Sequence, residues 1–398
     1  MEEQNKPPSH RNESTYSIKP YKVIAQCLGI WCMTCLNVIP NIQLIIICIL
    51  VVINAISLLH ELNPECGEVK DALKTASIGM SSCLAVIKIL SIRLNSDKML
   101  PIITSIMEDW SSIKNEDNLR IMSSAAKIGQ KILFFQLGSA YLSAIPMFLC
   151  GVQNTVVFDD KKNETEVVKL IPLENPCFYR YIFDDFYTEI YLLQILQIIA
   201  TILGNVGCDC YFFGITMHLV GQINCFGRDI EKFEPQEGES KNHEILRVLI
   251  LRHIHLMRMA DNMEKTFNVA ILFQVIANVL QISMAGLQLL VSIRHGDGGT
   301  MMNFTIFITI FLVQISLYSY AGDRLSSSIG SLQISLYCCP WYQRDRKTSK
   351  DFLLMMTRYG KPFHLTAGKI IHMNLDSYKN IIKTLGSYFS VMQAMFDE

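Results

Sequence analysis

An all-α membrane protein with seven transmembrane helices and a cytoplasmic N-terminus is the fold class this sequence predicts, on three observations. Half of its 398 residues are hydrophobic and only 18% are charged, a balance too apolar for a soluble chain of this length. Apolar stretches near 33–59, 71–92, 132–152, 186–207, 267–293 and 302–321 are each long enough to cross a hydrocarbon core of about 30 Å as a helix. A seventh, near 375–396, has the length but is interrupted by polar residues. Lys and Arg segregate by side: twenty-five lie in the N-terminal arm and the loops after spans two, four and six, against six in the alternate loops. The positive-inside rule then puts the N-terminus in the cytoplasm and the C-terminus outside.

Residues 1–20, MEEQNKPPSHRNESTYSIKP, lack the short apolar core of a signal peptide, so residues 1–30 read as a polar cytoplasmic arm and the first span as its own insertion signal. Lys74, Lys88, Lys379 and Lys383 fall inside span windows near their ends, where long basic side chains are expected to snorkel. The outer loop between spans three and four contains Asn163-Glu164-Thr165, a sequon on the accessible side that makes Asn163 a glycosylation candidate. Thirteen cysteines are scattered mainly through the spans, where they act as small apolar residues. Cys66 and Cys177 both fall outside, and the sequence leaves open whether they pair.

The cytoplasmic segments carry helical patterns. In 243–264, HEILRVLILRHIHLMRMADNME, Ile245, Leu249, Leu256, Met259 and Met263 form one stripe, with Arg252 intruding. This is expected to be an amphipathic helix running into span five. Residues 326–365 read as two short helices broken at Pro340, so that 1–30, 31–325, 326–365 and 366–398 become arm, spans one to six, anchor and last helix. Such extensions assemble into an anchor domain, and neighbouring subunits are one source of cover for their apolar stripes.

Inside the membrane, span five carries Gln274, Asn278, Gln281, Ala285 and Gln288 at helical spacing, and span four carries Gln194, Gln197, Thr201 and Asn205. Polar stripes are unfavourable against lipid and must face other helices or a cavity, which leaves interhelical hydrogen bonding and a hydrated or ligand-contacting path as the two readings. Catalytic chemistry is not visible. His253 and His255 point to different helix faces, HGDGG at 295–299 is an outer turn, and the Cys208–Cys210 and Cys338–Cys339 clusters lack the spaced partners of a zinc site. No cofactor is expected, and no basic patch with interleaved aromatics suggests nucleic acid.

Two blocks carry a family resemblance. In SSSIGSLQISLYCCPWY, Ser328, Ile329, Ser335, Tyr337, Trp341 and Tyr342, and in the ending LTAGKIIHMNLDSYKNIIKTLGSYFSVMQAM, Thr366, Gly368, Lys369, Leu375, Ser387, Tyr388, Phe389, Ser390, Val391 and Met395, the chain resembles the insect odorant receptors. The resemblance implies a ligand-gated, non-selective cation channel in the plasma membrane of olfactory sensory neurons. It implies a heterotetramer of ligand-selective subunits with a shared co-receptor, an anchor of cytoplasmic helices, a pore lined by each last helix, and a small volatile ligand held in the outer half of a subunit. A pore-lining helix shows one face to water, which accounts for the wet seventh span. Residues 384, 388, 391 and 395 step along one stripe, Val391 falls at the family's hydrophobic gate with Met395 one turn further out, and Ser387, Ser390 and Gln393 become candidates for pore lining or intersubunit hydrogen bonds.

The ending departs from the related gustatory pattern, because Ala394-Met395 stands where Gln-Phe is usual. The segment from Gly221 to Lys265 is too short for the co-receptor's long insertion, so the chain reads as a ligand-selective subunit. A G-protein-coupled receptor would need an external N-terminus, against the charge count, and a transporter would favour inverted repeats that are not visible. For the pocket, the outer halves of spans two, three, four and six offer Met80, Tyr141, Met147, Ile190, Phe307 and Phe311, large apolar groups with a phenol among them.

Overall fold

The computed structural model describes residues 8–397 apart from short stretches within that range, the longest being 150–154 and 233–238. Asn163 lies outside the described residues. In chain order the helices are α1 (Pro8–Cys27), α2 (Val38–Glu61), α3 (Val69–Leu94), α4 (Ser96–Ser112), α5 (Glu116–Leu149), the short α6 (Pro176–Tyr179), α7 (Tyr187–Ile202), α8 (Cys208–Glu231), α9 (Glu239–His295), α10 (Gly298–Cys338), α11 (Arg346–Thr357) and α12 (Leu375–Asp397). A hairpin of β1 (Thr155–Asp159) and β2 (Glu164–Val168) stands in the outer loop, and a minimal one, β3 (Thr366–Ala367) with β4 (Ile371–His372), precedes α12.

Among the described residues, six helical stretches are long and apolar enough to cross a membrane, and α12 falls short of that apolarity. α2 shows why the solvent must be lipid: Ile42, Ile45, Ile46, Ile49 and Ile56 are all more than half exposed, a patch an aqueous surface does not tolerate. α9 has 57 residues and, at 1.5 Å per residue, runs about 85 Å, nearly three times the hydrocarbon thickness. It is therefore both span five and the amphipathic extension before it. Leu256, Met259 and Met263 of the expected stripe are buried, and the intruding Arg252 is neutralised: its Nη2 donates to Asp109 Oδ1 at 2.8 Å and also meets Gln222. Burial pushes the Asp109 carboxyl up, but hydrogen bonds and charge from His218 and Arg252 outweigh that and hold it below the usual carboxylate range.

The end of the N-terminal arm packs on the bundle: Tyr21, Ile24 and Ala25 of α1 and Leu28 just beyond it are buried, and the Tyr21 ring lies so close to Gly214 of α8 that a Cβ there would sit 2.3 Å from it. An arm read by composition alone hides four apolar residues spaced three, one and three apart, one helix face. Two expectations are corrected. The segment after span six is not two short helices, because α10 continues unbroken to Cys338, so position 326 lies within a helix; only the break at Pro340 is present, followed by a 3-10 turn at Trp341–Gln343 and by α11.

The second correction concerns Lys88, which does not snorkel. Its side chain is 2% exposed and paired with Asp209 of α8. A five-residue π-helical turn, Leu203–Gly207, links α7 to α8, and Asn205 within it offers Lys88 Nζ both its side-chain oxygen and, at 3.3 Å, its carbonyl. From α10, Gln314 Nε2 donates to Asp209 Oδ2 at 2.6 Å and the Tyr318 hydroxyl donates to Oδ1. Each charge is compensated and the remaining lone pairs are occupied, the condition under which a buried pair is tolerated.

Removing one charge leaves the other stranded. Asp209→Leu or Lys88→Met alone is expected to destabilise the fold by about 3–5 kcal/mol, while the Lys88→Met/Asp209→Leu double change recovers most of the loss. Thermal unfolding of detergent-solubilised protein measures this, and a double variant no more stable than either single one refutes it.

Candidate ligand cavity and last helix

In the half of the bundle assigned to the outside, the helices diverge around a cavity of about 560 Å³. Its walls come from α3, α5, α7, α9 and α10, with Asn54 of α2 at its side. Size and lining suit a small, largely apolar molecule. The roof is the segment before α6, where Pro172 and Leu173 line the space. Two bonds seat it, Leu173 N donating to Gln194 Oε1 at 3.0 Å and the Tyr187 hydroxyl donating to the Leu170 carbonyl at 2.9 Å, and beside it the Tyr191 hydroxyl of α7 donates to the Phe148 carbonyl of α5. Beyond the roof, Cys177 forms a disulfide with Cys66, and its N–H donates to Glu61 Oε1 at 3.3 Å. The outer loop is thereby tied to the end of α2, directly beside the cavity.

The apolar wall includes Ile198, Phe304 and Met284 together with three of the six expected residues, Met147, Phe307 and Phe311. Phe307, 43% exposed, stands at the edge. Met80, Tyr141 and Ile190 are not among the lining residues. Helix rotation explains each. Tyr141 follows Ala140, which does line the cavity, and so points about 100° away; Met80 precedes Ser81 by the same step; Ile190 lies eight residues, about 12 Å, from Ile198 on α7.

The polar wall was signalled by the two intramembrane stripes, some of whose residues line the cavity while others bond to protein atoms. Gln281, Ala285, Gln288 and Thr201 line the cavity. Gln274 instead donates to Asn278 Oδ1 at 2.7 Å, Asn278 reaches the Phe311 carbonyl at 3.5 Å, and Asn205 serves Lys88. Even in the cavity wall the amide N–H groups of Gln281 and Asn54 are engaged. Gln281 Nε2 donates to the Ser77 carbonyl and to Ser81 Oγ, both at 2.9 Å, and Asn54 Nδ2 donates to Ser82 Oγ at 3.0 Å and Thr201 Oγ1 at 3.3 Å.

α12 is positioned by the β3–β4 hairpin. Gly368 occupies the left-handed region at φ +59°, its N–H donates to the Asn268 carbonyl at 2.8 Å, and Thr366 Oγ1 donates to Glu264 Oε1 at 2.6 Å, which fastens the hairpin to α9. Asn374 then accepts from Ser377 N at 2.8 Å, capping the new helix. α12 packs on its own bundle through Leu385, Phe389 and Met392, four and three residues apart. The adjoining face, about 100° round the helix, carries Thr384, Tyr388, Val391 and Met395, all exposed, with Val391 at 59% and Met395 at 73%, while Thr384 and Tyr388 still border α9 at Val279 and Ser283. Ser387, Ser390 and Gln393 are exposed as well. The hydroxyls of Thr384, Ser387 and Ser390 donate to carbonyls four residues back at 2.9–3.0 Å, so the helix tolerates them without a partner.

Comparison with known proteins agrees with this architecture. The family model described as 7tm Odorant receptor matches residues 68–386. Odorant receptor 46a, isoform B, of Drosophila melanogaster is 22% identical over 361 residues, 88% of each chain, and Odorant receptor Or1 of Anopheles gambiae is 22% identical over 245 residues, 54% of this chain and 58% of the relative. The chain spans only 45% and 61% of the length of two further Drosophila receptors. Among solved structures, the olfactory receptor OR5 of Machilis hrabei superposes with a TM-score of 0.72 at 13% identity, covering 96% of this chain and 99% of that one. The same receptor in complex with eugenol superposes at 0.73 and 13% identity, covering 97% and 100%. Because the family model covers well over half of the residues, the chain belongs to the insect odorant receptor family, a multi-pass membrane receptor and not an enzyme.

Proposed function

We propose that this chain is the ligand-selective subunit of an odorant-gated, non-selective cation channel, assembled with the shared co-receptor as a heterotetramer in the plasma membrane of olfactory sensory neurons. The observation that carries the reading is that one helix, α9, supplies a wall of the cavity and also packs against α12, whose adjoining face is exposed. A volatile ligand occupies the cavity among Met147, Phe307 and Phe311. The α12 helices of four subunits surround the pore, and Val391 with Met395 form apolar rings that block ions by dewetting when narrow. Ser387, Ser390 and Gln393 line the wetter flanks or bond neighbouring subunits. The solved relative complexed with eugenol supports the ligand class. α8 ends at Glu231 and α9 starts at Glu239, which leaves no room for the co-receptor's insertion and supports the subunit assignment.

Whole-cell recording from cells expressing the chain with and without an insect co-receptor, during application of a panel of volatiles, is the direct test. A cation current that requires both the co-receptor and a particular volatile is expected; second-messenger signalling without the co-receptor would overturn the channel reading. With an active volatile identified, Met147→Ala is expected to raise the half-maximal concentration about tenfold, the worth of a lost buried thioether, whereas Tyr141→Phe leaves it at the wild-type value. Equal shifts in both variants count against the cavity. Val391→Ser, which wets the ring, is expected to produce current without ligand at unchanged surface expression, and a silent, fully activatable variant removes Val391 from the gate.

A further inference from the structure

One close approach between cavity wall and pore helix is made where a side chain is missing. Gly286 of α9 follows the cavity-lining Met284 and Ala285, and Gln288 lines the cavity two residues further on. On the side of α9 turned to α12, the Phe389 ring lies directly on the Gly286 backbone. A Cβ at 286 would fall 1.6 Å from Phe389 Cε1 and 2.3 Å from Cζ, so no residue but glycine permits the contact as it stands. Around it Ile282, Ile315 and Leu385 form a buried cluster, with Leu385 only 6% exposed. Phe311 packs on that cluster and also lines the cavity. A molecule in the cavity is thus separated from α12 by one helix and one shared phenylalanine.

Phe389 and Val391 are two residues apart, about 200° around the helix, so they occupy opposite sides of α12. At this level of the helix the ring in the Gly286 notch faces the bundle and Val391 is exposed. To widen a pore bounded by Val391, α12 must move toward α9, and the depth of the notch limits how far it can go. We infer that Phe389 seated on Gly286 is the contact that couples the cavity to the gate, with both acting as positioning residues that set how far α12 can withdraw. Coupling of this kind requires a second, withdrawn arrangement of α12. The assignment rests on the channel reading given above.

The two residues have opposite predicted effects. Gly286→Ala fills the notch, keeps α12 forward and is expected to raise the half-maximal ligand concentration about tenfold or more and lower the maximal current. Phe389→Leu shortens the knob, lets α12 withdraw, and is expected to increase the ligand-independent fraction of the current. The pair Gly286→Ala/Phe389→Leu should return both quantities toward wild type. All currents are recorded with the co-receptor and normalised to surface expression, which a purely structural role would change while leaving half-maximal concentration and ligand-independent fraction alone. Should Gly286→Ala fail to reach the surface, Phe389→Leu alone decides, since truncation leaves the backbone contact free of clash. Normal gating in the wild type with unaltered gating parameters in the surface-expressed variants overturns the coupling role and leaves the channel reading standing. Absence of ligand-gated current in the wild type itself overturns both.

Discussion

A single buried ion pair, Lys88 with Asp209, organises the inner half of this bundle. Two charges removed from water in a low-dielectric interior are costly unless they meet each other and have their remaining hydrogen-bonding capacity occupied. Meeting that condition here requires three helices at once: α3 brings the lysine, α8 the aspartate, α10 the Gln314 amide and the Tyr318 hydroxyl. It also requires the π-helical turn at 203–207, since the Asn205 carbonyl and side chain both reach Nζ there. A shift of any one helix by a turn would strand a charge. The outer half has no such constraint among its described contacts, and there the same helices stand far enough apart to enclose the cavity.

That division explains the two kinds of polar residue inside the membrane. Near the ion pair, Asn205, Gln314 and Tyr318 are committed to its two charges and hold register. Around the cavity they bond to neighbouring backbone and hydroxyls, as Gln281 does with Ser77 and Ser81, and present what surface is left. On α12 the hydroxyls turn back to carbonyls of their own helix. This third arrangement lets a helix carry Thr384, Ser387 and Ser390 on its outer side without requiring a fixed partner, a property suited to a face that meets water in one setting and another subunit in the next.

The fold was legible where hydropathy alone decides it. The windows at 33–59 and 71–92 fall within a few residues of α2 and within α3, because lipid demands a continuous apolar run and nothing else competes. Their cytoplasmic continuations were harder. α10 extends to Cys338 because its polar inner part is still helical, and the change in hydropathy at the membrane surface resembles a boundary although the backbone has none. Lys88 was misread for a different reason: a lysine near a span end snorkels by default, and its partner lies 121 residues away. The cavity was half legible. Which span faces it follows from order and topology, but which face of a span does so depends on helix rotation, and a step of one residue separates Ala140, which lines it, from Tyr141, which does not.

The engagement of the cavity's amide N–H groups has a consequence for selectivity. A site whose donors are free rejects a ligand lacking the matching acceptor by several orders of magnitude, because the donors are left buried and unpaired. Here Gln281 and Asn54 already donate to protein atoms, so a ligand oxygen at either must displace a bond rather than complete one, whereas Lys74 and Asn303 also line the space and the buried Asn54 Oδ1 has no donor among the described residues. Among ligands alike in their polar groups, discrimination falls to shape against Ile198, Met284, Phe304 and Phe311. One methylene against such a wall is worth about 0.8 kcal/mol, roughly a fourfold difference in affinity. On the proposed function, a homologous series of volatiles alike in their polar groups is graded by chain length and fit, and neighbouring members are expected to differ in potency by steps of about that size.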